Sequence, residues 1–434
     1  MNKIRLFTVA ALTVLPGQGF AQKSSVAAEV AAVYAQADAL YLYLHQNPEL
    51  SRHETKTAAR MAAELRALGY EVTENVGGGV VGVLRNGTGP TVLLRTDMDA
   101  LPVTEATGLP YASTVRTRDD GGNEVGVAHA CGHDVHMSAW ISTARIMAST
   151  KTKWRGTLVM MGQPAEEIGA GAKAMIADGL LTRFPRPDYA LAIHDDARTP
   201  AGVVTYRAGP VMSNTDNVFI TIYGRGGHGA RPEATVDPIV IAARTVVALQ
   251  TIIAREISPF DQAVITVGTF HGGTKNNVIP DEVKLGVTVR SFTPTVREQL
   301  HAAIRRIVIA EAAAGNAPRE PLIERGEVGM ALVNDSALTF RVRDALVAEL
   351  GAGRVLEGQA EMVGEDFSEF PRNGIPTVLL RIGAVEKLKY DDAIKNGKPL
   401  PSLHSSLFAP DREPTIKAAT EAEVVALRAL LRPR

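Results

Sequence analysis

The sequence predicts an α/β protein: a mostly parallel sheet carrying an inserted ferredoxin-like α+β unit. Three observations lead there. Short apolar runs alternate with helical patterns over the first 210 residues. The order βαββαβ follows between residues 211 and 325, and a helix and strand resume after it. Buried parallel strands read as near-continuous apolar runs, and the ferredoxin-like sandwich has that order of elements. Element by element, residues 26–46 and 54–68 read as helices, the second ended by Gly69. Strands are expected at 80–84, 91–94, 156–161, 189–193 and 203–206, with a helix at 135–148 between the second and third. The inserted unit reads as strand 217–223, helix 238–257, strands 263–270 and 283–292, helix 296–313 and a strand opening at 322–324. A helix at 336–350 and a strand at 377–382 return to the first unit. The expected division is a leader over 1–21, one domain over 22–210 and 326–434, and a second over 211–325.

The length of 434 residues suits two domains, and 45% apolar residues supply a sizeable core. A formal net charge of −1 argues against a general nucleic-acid binder, which needs a basic surface. Lys3 and Arg5, the apolar run from Leu6 to Leu15 and the small residues around Ala21 read as a signal peptide cut after Ala21. Export to the periplasm or medium is therefore expected, with no membrane attachment after cleavage. Cys131 is the sole cysteine, so no internal disulfide can form. A free thiol in an oxidising compartment is a liability unless it is buried or bound to metal.

Open α/β sheets place their sites beyond the carboxyl ends of strands. The chemistry-bearing residues fall there. Asp97 and Asp99 follow one expected strand, Glu166 and Glu167 another, and His194 a third. Cys131 and His133 precede a helix, with Gly132 between them allowing close approach, and His404 follows the last strand. Thiolate, imidazole and carboxylate form a ligand set for zinc and similar divalent ions. Adjacent Glu166 and Glu167 cannot perform one task from a regular strand, so one can hold metal while the other takes a proton from water. Each residue alone has a plainer reading. Cys131 could be a small hydrophobe, Asp97 and Asp99 turn residues, and the glutamates a solvated helix start.

The segments that carry these residues are HQNPELSRHE (45–54), RTDMDALPV (95–103), HACGHDVHMS (129–138) and QPAEE (163–167). They continue with GRGGHGARPE (224–233), NNVIPDEVKLGVTVRSF (276–292), GEDFSEF (364–370) and LHSSLF (403–408). In that order and spacing they resemble the metallopeptidase M20 family, in its amidohydrolase branch. That branch includes hippurate hydrolases, N-acyl amino acid amidohydrolases and hydrolases of auxin–amino acid conjugates. The resemblance implies a Zn-peptidase-like catalytic domain with a dimerisation or lid domain, and a homodimer or higher homo-oligomer. It implies that Cys131, His133, Glu167, His194 and His404 bind two divalent metal ions, zinc before manganese, cobalt or nickel. It makes Glu166 the general base and Asp99 an acid that orients the cluster. It assigns the oxyanion to His228 and a substrate carboxylate to Asn277 and Arg290. A cation and an amide donor suit those charges on physical grounds too.

Four positions depart from the family pattern: Gln46, Asp195, Asp196 and Ser406. The two aspartates add acid beside His194, which could alter the pocket charge or favour a cationic substrate group. The expected function is metal-dependent hydrolysis of the amide bond in N-acyl amino acids or similar small conjugates. The competing readings are a dipeptidase or aminopeptidase on the same scaffold, a periplasmic binding protein without catalysis, and a Cys131-nucleophile amidase. The last leaves Glu167, His194 and His404 without purpose.

Overall fold

The computed structural model describes residues 25–431, and the leader expected over 1–21 lies outside them. An eight-stranded mixed sheet forms the larger unit. Its strands lie in the spatial order Glu71–Val76, Gly79–Asn86, Gly156–Gln163, Thr91–Asp97, Tyr189–Pro200, Thr377–Val385, Val204–Tyr206, Val355–Glu357. The four central strands, from Gly156–Gln163 to Thr377–Val385, run parallel. The flanks turn antiparallel: Gly79–Asn86 against Gly156–Gln163, Glu71–Val76 against Gly79–Asn86, and Val204–Tyr206 against Thr377–Val385. The parallel character expected from the sequence thus holds for the buried centre, where crossover helices cover both faces.

Alternate residues of each central strand enter two separate cores. Val92 and Leu94 join Leu158, Met160, Leu191, Ile193, Val378 and Leu380 under the helices Ser25–Gln46, His133–Ser149 and Arg412–Leu430. Leu93 turns the other way, onto Val159, Met161, Ala190, Leu379 and the Phe367–Phe370 pair. Each strand is thereby buried on both sides, which explains the unbroken apolar runs.

The inserted unit is a four-stranded antiparallel sheet in the order Ala263–Gly272, Glu282–Ser291, Asn214–Tyr223, Leu322–Gly329. Two helices, Pro238–Arg255 and Pro294–Ala314, pack on one face through Ile241, Leu249, Ile252, Leu300, Ile304 and Val308. This is the expected ferredoxin-like sandwich. Both helices begin with proline at the first helical position behind a side-chain cap. Asp237 accepts from the Ile239 N–H at 2.9 Å, and Thr293 accepts from the Val296 N–H at 3.2 Å. Proline there lacks only a donor that would be orphaned anyway. The two crossings between the units are tied together. Gly209–Met212 on the way out pairs antiparallel with Leu332–Asn334 on the way back.

Candidate active site

Four segments deliver the candidate residues other than His404, which comes from the loop before Arg412–Leu430, to the carboxyl edge of the central parallel strands. Thr91–Asp97 ends at Asp97, and Asp99 follows two residues later. Gly156–Gln163 ends just before Ala165-Glu166-Glu167. His194 lies inside Tyr189–Pro200, because that strand runs on past Ile193, where the sequence pattern ended it. The helix His133–Ser149 starts with Gly132 at φ 81°, a left-handed turn that sets Cys131 and His133 side by side. A helix amino end also favours an anionic thiolate nearby.

Five side chains converge here. Cys131 Sγ lies 3.5 Å from His194 Nε2 and 3.3 Å from His404 Nε2. Glu167 Oε2 is 3.3 Å from His404 Nε2, and Glu167 Oε1 is 3.7 Å from His133 Nε2. Cys131 therefore belongs to two groups, one with His133 and His194 and one with Glu167 and His404. These spacings are edges of a tetrahedron around an ion with bonds of about 2.0–2.3 Å, as zinc makes to nitrogen and sulfur. His133 Nε2 and Glu167 Oε1 are buried without a hydrogen-bond partner, a costly state that a bound cation relieves. The side chains thus fit divalent metal, with Cys131 common to both ligand groups.

Two of the imidazoles are held neutral, His194 and His404, whereas at His133 burial is outweighed by Asp97, Asp99 and Glu167, which carry its pKa up to about 10, so metal must displace a proton there. His133 donates from Nδ1 to the Asp99 carbonyl at 2.7 Å, and His194 donates from Nδ1 to the Asp195 carbonyl at 2.9 Å. Each bond leaves Nε2 for metal. Burial, with the neighbouring His136 and His133, pushes the His194 pKa down to about 3. Burial and His133 also lower His404. Burial and the Glu167 and Glu166 carboxylates push the Cys131 thiol well up, so metal must displace its proton. Asp99 clamps the layout. Its Oδ2 accepts from Ser51 Oγ at 2.6 Å and from the Glu167 N–H at 3.0 Å.

Glu166 sits at the rim of this cluster and forms a second group with Glu365 and Asp366. Burial, then the charges of Glu365, Glu167 and Asp366, raises its pKa well above the ordinary carboxylate value. A carboxyl so placed holds a proton readily, as an acid–base group must. Two residues at this edge adopt left-handed backbone without being glycine: Ala165 at φ 51° and the ligand candidate His404 at φ 65°. Such conformations cost about 1–3 kcal/mol each and persist where the surroundings hold them. For Ala165 the restraint is its N–H donated to Glu54 Oε1 at 2.7 Å.

The inserted unit divides its candidates between two ends. Arg290 pairs with Thr215 near the crossing. Thr215 in turn packs on Gly364, beside Glu365. The Arg290 guanidinium is half buried, and no carboxylate forms an ion pair with it among the described residues. His228 and Asn277 meet each other at the opposite end, where Gly227–His228 pairs with Val278–Ile279 and Gly229 N–H donates to the Asn277 carbonyl. Strand register sets Glu282 against Tyr223 there, eight residues from Arg290, or about 26 Å at 3.3 Å per residue. Within one chain His228 and Asn277 do not join Arg290 around a small molecule. His228 is exposed, and its Nδ1 accepts from the Ala230 N–H at 3.0 Å, leaving Nε2–H as a free donor.

The aspartates after His194 do not enrich a substrate pocket. Asp195 is fully buried against Gly132 and His136. Asp196 is buried and engaged by Thr199, the Arg198 N–H and Arg381. Both side chains are turned into the protein, Asp195 without a hydrogen-bond partner, so neither is presented to a cationic substrate group as the sequence suggested. Gln46 is exposed at the end of its helix, and the Ser406 carbonyl accepts from the Ala106 N–H at 2.8 Å.

Sequence reasoning passed over a buried network behind the site. Arg95, with no exposed surface, bonds Asp97 Oδ2 at 2.6 Å, Glu365 at 2.9 Å and Gln163 at 3.0 Å. His136 donates from Nδ1 to Asp97 Oδ1 at 2.7 Å. The signal was present: an arginine inside the apolar strand TVLLRTD, where a charge survives burial only when paired.

The sequence profile of Peptidase family M20/M25/M40 matches residues 93–394. Thermostable carboxypeptidase 2 of Saccharolobus solfataricus is 36% identical over 375 residues, spanning 85% of this chain and 89% of that protein. N-acetyl-L-cysteine deacetylase of Bacillus subtilis is 36% identical over 76% of each chain. Hippurate hydrolase of Campylobacter jejuni is 38% identical over 68% of this chain and 75% of its own. Among solved structures, the YXEP protein of Bacillus subtilis, described as a dinuclear metal binding peptidase, superposes with a TM-score of 0.75 at 27% identity. It covers 92% of this chain and 99% of its own. This chain belongs to peptidase family M20/M25/M40 and is a hydrolase.

Proposed function

We propose that the chain hydrolyses the amide bond of N-acyl amino acids or similarly small conjugates. The observation that carries this is the convergence of Cys131, His133, Glu167, His194 and His404 beside a buried, acid–base-competent Glu166. The five side chains would hold two divalent ions, zinc by donor chemistry and spacing. When bound, such ions polarise a carbonyl and lower the pKa of water. Glu166 takes a proton from the attacking water and delivers it to the leaving nitrogen, while Glu365 and Asp366 keep its pKa high enough for both transfers. Asp99 fixes the His133 ring and the Glu167 backbone. Arg290 receives the substrate carboxylate, the group that an N-acyl amino acid shares with the carboxypeptidase substrates of relatives. His228 and Asn277, too far from Arg290 in their own chain, serve the site of a partner subunit in a homodimer, with His228 Nε2–H donating to the oxyanion. The leader and the lone cysteine support export.

The test uses the chain from Gln22 onward, with elemental analysis and assays on hippurate and N-acetyl amino acids. The expected result is metal in the purified protein, activity lost to chelator, and a drop of about 10²–10⁴ in kcat for Glu166→Gln at unchanged metal content. A protein that holds no metal after reconstitution, or a Glu166→Gln variant at full activity, sinks the proposal.

A further inference from the structure

His136 lies one helical turn beyond His133 on the same helix and is fully buried. With Asp97 and His133 it forms a cluster of ligand-type side chains. Its own nitrogens are already committed. Nδ1 meets Asp97 Oδ1 at 2.7 Å, and Nε2 faces the Asp195 N–H at 2.9 Å. A backbone N–H aimed at Nε2 makes that nitrogen an acceptor, so the ring is the neutral Nδ1–H tautomer with no lone pair left for metal.

We propose that His136 is a positioning residue for the metal centre, acting on His194 by fixing the backbone of Asp195 on both sides of its Cα. This rests on the metal reading above. The argument starts with strand pairing. Thr91–Asp97 pairs with the neighbouring strand only as far as Arg95 against Ala192. Beyond that point the Asp195 N–H has no ladder partner on this side, and His136 Nε2 takes its place. The carbonyl of the same residue accepts from His194 Nδ1 at 2.9 Å, which leaves His194 Nε2 facing Cys131 Sγ at 3.5 Å. Upstream, Arg95 Nη1 holds the other Asp97 oxygen at 2.6 Å, so the carboxylate cannot turn away. Hydrogen bonds thus run from Arg95 through Asp97 and His136 to the Asp195 N–H, and the Asp195 carbonyl, one peptide further on, holds the ligand imidazole. Partners of ligands tune metal affinity, by about 10–100-fold when removed.

Two variants separate the roles of the ring nitrogens. His136→Gln places an acceptor near the Nε2 position, whereas His136→Asn retains a polar group only near Nδ1. Cobalt(II) alone is the probe, read by elemental analysis and by the thiolate charge-transfer band of Cys131, with circular dichroism on the metal-free proteins as a control. The wild type and the Gln variant should hold two cobalt ions with the same spectrum. The Asn variant should bind one of them at least tenfold more weakly while keeping its fold. Equal binding and equal spectra for Asn and Gln would overturn the proposal. Histidine nitrogen NMR of the unsubstituted protein decides the matter should the Asn variant fail to fold. An unprotonated His136 Nε2 supports the line of bonds, and a protonated one refutes it. A wild type that takes up no cobalt defeats the metal reading itself, whereas cobalt uptake with identical variants defeats only this inference.

Discussion

Replacing Arg95 by methionine is the sharpest test of how the site edge is held together. The guanidinium is wholly buried and faces Asp97 at 2.6 Å, Glu365 at 2.9 Å and Asp366 at 3.5 Å. Methionine refills most of the volume but leaves three buried carboxylates without their cation. Breaking a buried pair in this way costs about 3–5 kcal/mol, because the stranded charge keeps its desolvation penalty. At about 2.1 cal/mol/K per residue, the unfolding entropy of a 434-residue chain is roughly 0.9 kcal/mol/K, so 4 kcal/mol lowers Tm by about 4–5 °C. Urea unfolding at pH 7 on metal-free protein measures it, beside Glu365→Gln and the double variant. Removing Glu365 in the Arg95→Met background should recover part of the loss, giving a coupling energy above about 1 kcal/mol. A cost below 1 kcal/mol for Arg95→Met, or strictly additive changes in the double variant, would refute the view that charge compensation holds this edge.

Three further outcomes are expected. Arg290→Gln should raise KM for hippurate by about 10–100-fold, the worth of a charge-assisted hydrogen bond, and leave a substrate whose carboxylate is replaced by an amide unaffected; equal losses on both would exclude a carboxylate anchor. Burial lowers the His45 pKa, but Asp134 at 2.7 Å and Glu105 outweigh it and carry it up to about 10. A raised histidine stabilises most below its unfolded pKa of about 6.5, and that contribution, at most roughly 5 kcal/mol, fades as pH climbs through 10. His45→Gln should therefore flatten the stability profile between pH 6.5 and 10, and an unchanged slope counts against the assignment. Gly132→Ala drives a methyl into Asp195 Oδ2 at φ 81°, and a melting curve should report a loss of about 2 kcal/mol or more.

The legible parts of the chain were those where one physical requirement dominated. Strands such as Thr91–Asp97, buried on both faces, must be apolar throughout, and their runs could be read directly. Glu71–Val76 was not visible because it is an edge strand, and its residues EVTENV mostly face solvent. The neighbouring Gly77-Gly78 was nevertheless a hairpin signal. The helix Arg412–Leu430 also escaped notice. It is buried almost all round, but it carries Thr415, Thr420, Glu421 and Glu423 inside; the threonines bond back to carbonyls one turn earlier, and the glutamates' partners lie far away in sequence. Glu423 meets Thr143 and Glu421 meets Arg354. The same limit applies at the site. Ligand-type residues stand out by chemistry and by their place at strand ends. His136 and Arg95 act through neighbours that only the folded sheet supplies, and the sequence does not show that Asp196 is engaged by Thr199 and Arg381 or that the Asp195 carboxylate is buried without a hydrogen-bond partner.

The paired crossings of Gly209–Met212 and Leu332–Asn334 make the inserted unit a cassette. Residues directly opposite in an antiparallel pair lie about 4.5–5.5 Å apart, so the chain leaves and re-enters the α/β body through one doorway. A tight turn joining Met212 to Leu332 would close the body without moving either strand. The cassette, with its own apolar core, would leave as a single piece whose ends already meet. Evolution or an engineer can therefore exchange this unit while the edge that carries Cys131, Glu167 and His194 stays untouched.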